Sequence, residues 1–182
     1  MTLRVIVIGG GAAGLMAAGR AAELGASATL LEKNDRPGIK VRLTGGGRCN
    51  LTNNLTPRQF VTHLGPNGMF MRNALARFGP AELRAWFAAQ GVATVAEPDG
   101  RVFPASDSSR DVVEALQRYN VAHGVRLMTL AAVAEIIVAE GCARGVRLRD
   151  GSGLEADAIV LATGGASYPT TGSSGDGYAM AQ

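Results

Sequence analysis

Paired cysteines are missing from this 182-residue sequence. Cys49 and Cys142 stand far apart with no CxxC unit, which supports neither a zinc site nor a disulfide framework. A reducing, cytoplasmic setting is the expectation that follows. Histidine is limited to His63 and His123, each solitary near the end of a predicted helix, so no metal site and no histidine catalysis is expected. No apolar run reaches the roughly 18 residues that a membrane span requires. The N-terminal "MTLRVIVIGG" runs into glycines and lacks a small-residue cleavage pattern, so it reads as a buried strand and not as a signal peptide. Formal net charge is only +3, with arginines interleaved with acids, which reads as a solvated surface and predicts no nucleic-acid partner.

Glycine, by contrast, is abundant: 25 residues, clustered, against an average usage of roughly 7%. With 47% hydrophobic and 18% charged residues, the composition fits one globular domain with a real core, or part of a larger one. Such clustering points to tight turns and to places where a ligand approaches the backbone closely.

The first cluster lies in "LRVIVIGGGAAGLMAAGRAAELGASATLLEK", which reads strand, glycine turn, helix, strand. Leu3 to Ile8 is the β-branched run of a parallel strand covered on both faces. Gly9, Gly11 and Gly14 match G-x-G-x-x-G where strand gives way to helix, and the small Ala12, Ala13, Ala17 and Ala18 are expected to keep that helix slim against the sheet. Gly9 permits the turn, Gly11 lets the backbone approach a pyrophosphate, and Gly14 lets helix and strand pack closely; the helix N-terminus offers N–H groups to the phosphates. Glu32 closes the second strand, where a carboxylate accepts a hydrogen bond from a ribose 2′-hydroxyl and disfavours a 2′-phosphate, arguing against NADP. This unit predicts dinucleotide binding but does not separate NAD from FAD.

After Glu32 the chain reads as a polar loop containing "TGGGRCNLTN", where an NAD-binding unit would proceed to another helix. A flat ring packed on the backbone would explain Gly45, Gly46 and Gly47 better than a flexible linker would. Further on, candidate strands at 125–130, 133–138, 143–148 and 155–161 read as an antiparallel β-meander crossover, ending in Ala162-Thr163-Gly164-Gly165 at the carboxyl end of a buried strand. The middle of the chain is predicted to form helices over "PRQFVTHL", "NGMFMRNALARF" and "GPAELRAWFAAQG". A hairpin turning at Pro98-Asp99-Gly100 follows, then an amphipathic helix capped by Ser106 or Asp107 and ending at Gly124.

Taken together, "VIVIGGGAAGLMAA", "TGGGRCNLTN", "GRVFPASD" and "ATGGASYPTTGSSGDGYAMA" resemble the NAD(P)/FAD-dependent oxidoreductase family of the aminoacetone oxidase or BaiN/RdsA type, over the whole sequence. The resemblance implies an α/β, Rossmann-like FAD-binding domain of the glutathione-reductase-like two-dinucleotide-domain type, its parallel sheet carrying a β-meander crossover. It implies that Gly9, Gly11, Ala13 and Gly14 cradle the pyrophosphate, that Glu32 and Lys33 hold the adenosine ribose, and that Lys40, Gly46, Arg48, Cys49 and Asn50 line the flavin side. Val133 matches a position whose backbone meets adenine, Thr163 and Gly164 close over the cofactor, and Asp176 matches a cofactor-contacting position shared with fumarate-reductase-like flavoproteins. Family members run to about twice this length, so residues 1–182 are expected to be an N-terminal FAD-binding part without the substrate domain and the C-terminal segment that completes the pocket.

The implied activity is transfer of a hydride equivalent through FAD to or from a small organic molecule, with NAD(P)H or dioxygen as redox partner. A fumarate-reductase-like flavoprotein and a flavin-binding module without turnover are the competing readings. Arg48 is expected to act as a cation near the ring more than as a structural salt bridge, and Cys49 as a packing or flavin-edge residue more than as a reactive thiol. No catalytic acid/base pair is evident.

Overall fold

The computed structural model describes residues 1–182. In chain order the elements are β1 (Arg4–Ile8), α1 (Ala12–Glu23), β2 (Ser27–Leu31), α2 (Ile39–Leu43), β3 (Thr52–Asn53), α3 (Pro57–His63), α4 (Arg72–Arg77), α5 (Pro80–Ala89), β4 (Thr94–Ala96), β5 (Arg101–Pro104), α6 (Ser109–Ala122), β6 (Arg126–Met128), β7 (Val133–Ala139), β8 (Cys142–Leu148), β9 (Gly153–Glu155), β10 (Ala158–Leu161) and α7 (Asp176–Met180). They form two compact units, one of residues 1–41 and 116–182, the other of residues 42–115.

The first unit is built on a parallel sheet of order β10-β1-β2-β6. Side chains alternate across a strand. Ile6, Ile8 and Leu31 therefore share one face, where they form a core with Ala131, Val133, Val146, Leu148 and Ala156 of the antiparallel sheet β7-β8-β9. Val5, Val7 and Leu30 are buried as well, on the alternate face, and full burial of such a side chain is worth about 1.5–3 kcal/mol. The helix α1 presents Gly14, Leu15, Ala18 and Gly19 inward. Beside it the last turns of α6 are tied down by Asn120, whose Nδ2 donates to Leu15 O at 2.8 Å and Leu116 O at 2.7 Å. Gly19 has no side chain because the Tyr119 ring would lie 2.3 Å from its Cβ. Ala12 and Ala13, expected against the sheet, are exposed.

Two expected strands come out differently. Segment 125–130 does not begin the meander: β6 pairs in parallel with β2, closing the edge of the main sheet. The candidate strand at 155–161 breaks in two, because Ala156 N donates to Arg144 O in the antiparallel sheet while Asp157 N donates to Arg4 O in the parallel one, each at 2.9 Å. The break is clamped by Arg4, which pairs with Asp157 at 2.9 Å and Glu155 at 2.8 Å. The meander β7-β8-β9 thus carries the chain from β6 to β10, from one edge of the sheet to the other.

The second unit holds a small antiparallel sheet of order β3-β5-β4, its hairpin turning at Pro98-Asp99-Gly100 as expected, with Gly100 at φ +84°. Thr56 and Gln59 cap α3 reciprocally, and Pro80 opens α5 while Glu82 accepts from Gly79 N at 3.0 Å. The expected helix over "NGMFMRNALARF" starts instead as a 3-10 turn, Gly65–Met71, and becomes α4 only afterwards; Gly68 packs so tightly that its Cβ would lie 2.0 Å from Val61 O. The helix α6 begins at Ser109, past both proposed caps: Asp107 takes φ +53° and accepts from Arg48 at 3.4 Å. The polar loop after Glu32 also contains the short α2 and a 3-10 turn, Thr44–Gly47.

Candidate cofactor site

At the carboxyl ends of β1 and β10 the three fingerprint glycines have three different surroundings. Gly9 has φ +105°, and a Cβ there would lie 2.5 Å from Ala162 O and 2.9 Å from Thr163 Cα, so the "ATGG" turn after β10 lies directly against it. Gly14 would drive a Cβ to 1.8 Å from Gly9 O. Gly11, the N-cap of α1 at φ −76°, is different: nothing lies within 4 Å of its Cβ position. Open space therefore faces the helix end whose first-turn N–H groups lack intrahelical acceptors.

Glu32, directly after β2, is buried at 7% exposure and already satisfies three donors. Its Oε2 accepts from Gly10 N at 2.8 Å, and its Oε1 accepts from Asn34 N at 2.8 Å and Asn34 Nδ2 at 2.7 Å. A carboxylate offers about four lone-pair directions, so room for one further hydroxyl donor remains, on Oε2. Gly10 and Asn34 were not legible as site residues. Gly10 is glycine because a Cβ would meet both Glu32 Oε2 and Pro37 Cβ at 2.9 Å.

Lys33 and Asp176, named separately from the sequence, form an ion pair of 2.7 Å, with Ser174 donating to Asp176 at 2.9 Å. The Lys33 ammonium and then the Ser174 hydroxyl hold the Asp176 carboxyl below the usual carboxylate range. Lys40 donates to Ser167 O at 3.0 Å and Ser173 Oγ at 3.3 Å, so both lysines bind the polar "SYPTTGSSGD" segment before α7. The Thr163 hydroxyl lies 2.2 Å from where a Cβ of Gly177 would stand, which explains the second glycine of "GDG", while Gly164 takes φ +75°. The side chain of Val133 is in the core.

Within the second unit, Gly45, Gly46 and Gly47 take φ of +59°, +67° and +91°, and Cys49 takes +65°. The left-handed backbone, more than clearance alone, is what demands glycine: at Gly46 and Gly47 the Cβ positions are open, whereas at Gly45 a Cβ would lie 2.9 Å from the Phe103 ring. Cys49 is buried, and burial pushes its thiol above the ordinary value, leaving a protonated, weakly nucleophilic group at neutral pH. Arg48 is engaged in the salt bridges that the sequence reading ranked second: it pairs with Glu97 at 2.7 Å and Asp107 at 3.4 Å and stacks on Phe103, 3.9 Å from the ring centre. Asn50 is exposed at the end of the loop.

A parallel sheet with a glycine turn opening onto a free helix end, and a buried acid closing the second strand, defines a dinucleotide-binding Rossmann domain. The family model described as HI0933-like protein Rossmann domain matches residues 3–182, and the chain belongs to that family. It is 36% identical over 182 residues to the 3-dehydro-bile acid delta(4,6)-reductase of Clostridium scindens, an overlap of 98% of this chain and 43% of that protein. To the ribosomal RNA dihydrouridine synthase of Haemophilus influenzae it is 31% identical over 180 residues, 97% of this chain and 44% of that protein. The chain thus spans less than half the length of these curated relatives. Among solved structures, 3-ketosteroid-delta4-(5alpha)-dehydrogenase from Rhodococcus jostii superimposes with a TM-score of 0.70 at 20% identity, covering 89% of this chain and 46% of that one. A flavocytochrome c3 fumarate reductase gives 0.69 at 20% identity, with 99% and 40% covered. Both likenesses show the fold.

The chain is a Rossmann-type FAD-binding domain. Its residues fit that cofactor: the space at Gly11 stands open beside unpaired helix N–H groups, and Glu32 keeps an acceptor site for a ribose hydroxyl.

Proposed function

We propose that this chain supplies the FAD cradle of an oxidoreductase acting on a small organic molecule with a conjugated double bond. The open position at Gly11 carries the reading, since it is the one fingerprint glycine whose missing side chain leaves room for a ligand and not for the protein itself. In this assignment Gly9, Gly11, Ala13 and Gly14 surround the pyrophosphate, Glu32 accepts from the ribose with Lys33 beside it, and the Val133 backbone meets adenine. Lys40, Thr163, Gly164 and Asp176 contribute through the segment that the two lysines bind, and Gly46, Arg48, Cys49 and Asn50 are assigned to the flavin end. The bound flavin would supply hydride transfer. The protein's part is to hold and orient it, with Arg48 compensated by carboxylates and Cys49 kept protonated.

The reductase among the relatives favours an unsaturated acceptor. NAD(P)H as the hydride source, or dioxygen as an alternative oxidant, is the redox partner we assign. Two free cysteines fit a reducing, cytoplasmic compartment; no helix is long and apolar enough to cross a membrane. The test is anaerobic: reduce the flavin-loaded protein, mix it with an α,β-unsaturated ketone, with dioxygen or with NAD(P)⁺, and follow the visible band. Fast reoxidation by the enone supports the reading, and a flavin inert to all three contradicts it.

A second reading has its own observation. The interleaving of charges fails between Arg36 and Ala81, which holds seven lysines and arginines and no acid, and Arg58, Arg72 and Arg77 are exposed there. With ribosomal RNA dihydrouridine synthases among the relatives, this favours a uracil ring carried on RNA as the unsaturated acceptor. Salt-dependent retention of single-stranded RNA by the purified protein would support it, and no retention at low salt would remove it.

A further inference from the structure

We infer that Glu97 and Phe103, on the β4–β5 hairpin, are positioning residues that preform the glycine loop at 44–49, an inference that rests on the assignment of this loop to the flavin. The loop's own ties run between its two ends. Four of its residues take left-handed backbone angles, one of them the non-glycine Cys49; within the loop the backbone is tied by Arg48 N to Gly45 O at 3.4 Å and Cys49 N to Thr44 O at 3.0 Å, and the side chains of Thr44 and Cys49 hydrogen-bond to each other. Three consecutive glycines have more conformational freedom to lose than any other residues, so a defined loop needs a template outside itself.

The hairpin is that template. The buried Phe103 ring occupies the place where a Gly45 side chain would lie, at 2.9 Å, and fixes where the first glycine stands. The Arg48 guanidinium lies on the same ring, 3.9 Å from its centre, and fixes the other end. Glu97 locks Arg48 there: its Oε1 accepts from Arg48 at 2.7 Å and its Oε2 from Arg101 at 3.3 Å, and Arg101 also approaches the Phe103 ring, at 5.4 Å. Glu97 is itself rigid, because its N–H donates to Arg101 O and its carbonyl accepts from Gly100 N, each at 2.8 Å, in the tight turn. A loop ordered in advance spends no binding energy on ordering when the cofactor arrives. The geometry therefore gives "GRVFP" and the preceding Glu97 a role in cofactor binding although they belong to a separate strand pair.

The test compares Glu97→Gln, Phe103→Leu and a control, Asp99→Asn, which removes a different partner of Arg101 at 2.6 Å on the same hairpin. Trypsin cleavage after Arg48 in cofactor-free protein reports on the loop, and FAD titration with visible circular dichroism of the bound flavin reports on positioning. Expected are faster cleavage, a dissociation constant raised about tenfold and an altered flavin dichroism in both variants, with the control unchanged. Wild-type affinity and dichroism in both variants would overturn the inference, even with faster cleavage, since that result would leave Glu97 and Phe103 a structural role only. Failure of the wild-type protein to bind FAD would sink the assignment of the loop along with it, and that failure is visible before any variant is made.

Discussion

Substituting Gly11 and Gly14 separately should divide cofactor binding from folding. At Gly11 the backbone, φ −76° and ψ −173°, suits any residue and the Cβ position is empty. Alanine or valine there loses a favourable N-cap but restricts the unfolded chain. The two effects, each about 0.5–1 kcal/mol, nearly cancel, so the melting temperature of a chain this size should move by no more than about 4 °C. At Gly14 a Cβ falls 1.8 Å from Gly9 O, a backbone atom that cannot rotate away. Overpacking of this kind costs about 3 kcal/mol or more, so Gly14→Ala should melt about 6–12 °C lower. Binding should follow the other order: Gly11→Val fills the space assigned to the pyrophosphate and should weaken FAD at least about a hundredfold, near 2.7 kcal/mol, while keeping its fold. Thermal melts of cofactor-free protein paired with FAD titrations measure both. A Gly11→Val protein that melts like the wild type and binds FAD with the wild-type dissociation constant would refute the reasoning.

Other substitutions test the remaining contacts. Glu32→Gln turns an acceptor against Gly10 N or Asn34 into a donor, and should cost about 1–3 kcal/mol of stability even without cofactor; a melt unchanged from wild type would count against the buried network. Asp157, held down to about 2 chiefly by its hydrogen bond from Arg4, contributes stability that is complete above the ordinary carboxylate value near 3.8 and is lost as pH falls through about 2. The stability gap between wild type and Asp157→Asn should therefore be constant above pH 5 or so and shrink steadily in acid, and a gap independent of pH would contradict it. Burial, and then the Glu23 carboxylate, push the Tyr119 hydroxyl up to about 12, so an ultraviolet titration should find one late-ionising tyrosine that moves down in Glu23→Gln.

The first βαβ unit was legible almost in full, because its signals are local: β-branched strand, glycine turn, slim helix, terminal acid. What lay beyond reach was set by partners distant in sequence. Nothing near Arg126 says that it pairs with Thr29 in a parallel sheet and does not join the meander, and the break at Asp157 exists because Arg4 lies beside it. Which carboxylates pair with Arg48 was not legible, because Glu97 and Asp107 are distant in sequence and on other parts of the chain. The glycine triplet was recognised as a place without side chains, but its left-handed angles and the ring of Phe103 under Gly45 are properties of the folded loop. Gly19 carried no signal of its own and is explained only by Tyr119, a hundred positions later.

The most direct test of the cradle is a titration of the purified protein with FAD, with NAD and NADP in parallel, following visible absorption and flavin fluorescence. The account predicts saturable, stoichiometric binding of FAD with quenched fluorescence, and no comparable affinity for NADP, whose 2′-phosphate would meet the Glu32 carboxylate. Binding of NAD or NADP in preference to FAD would contradict it.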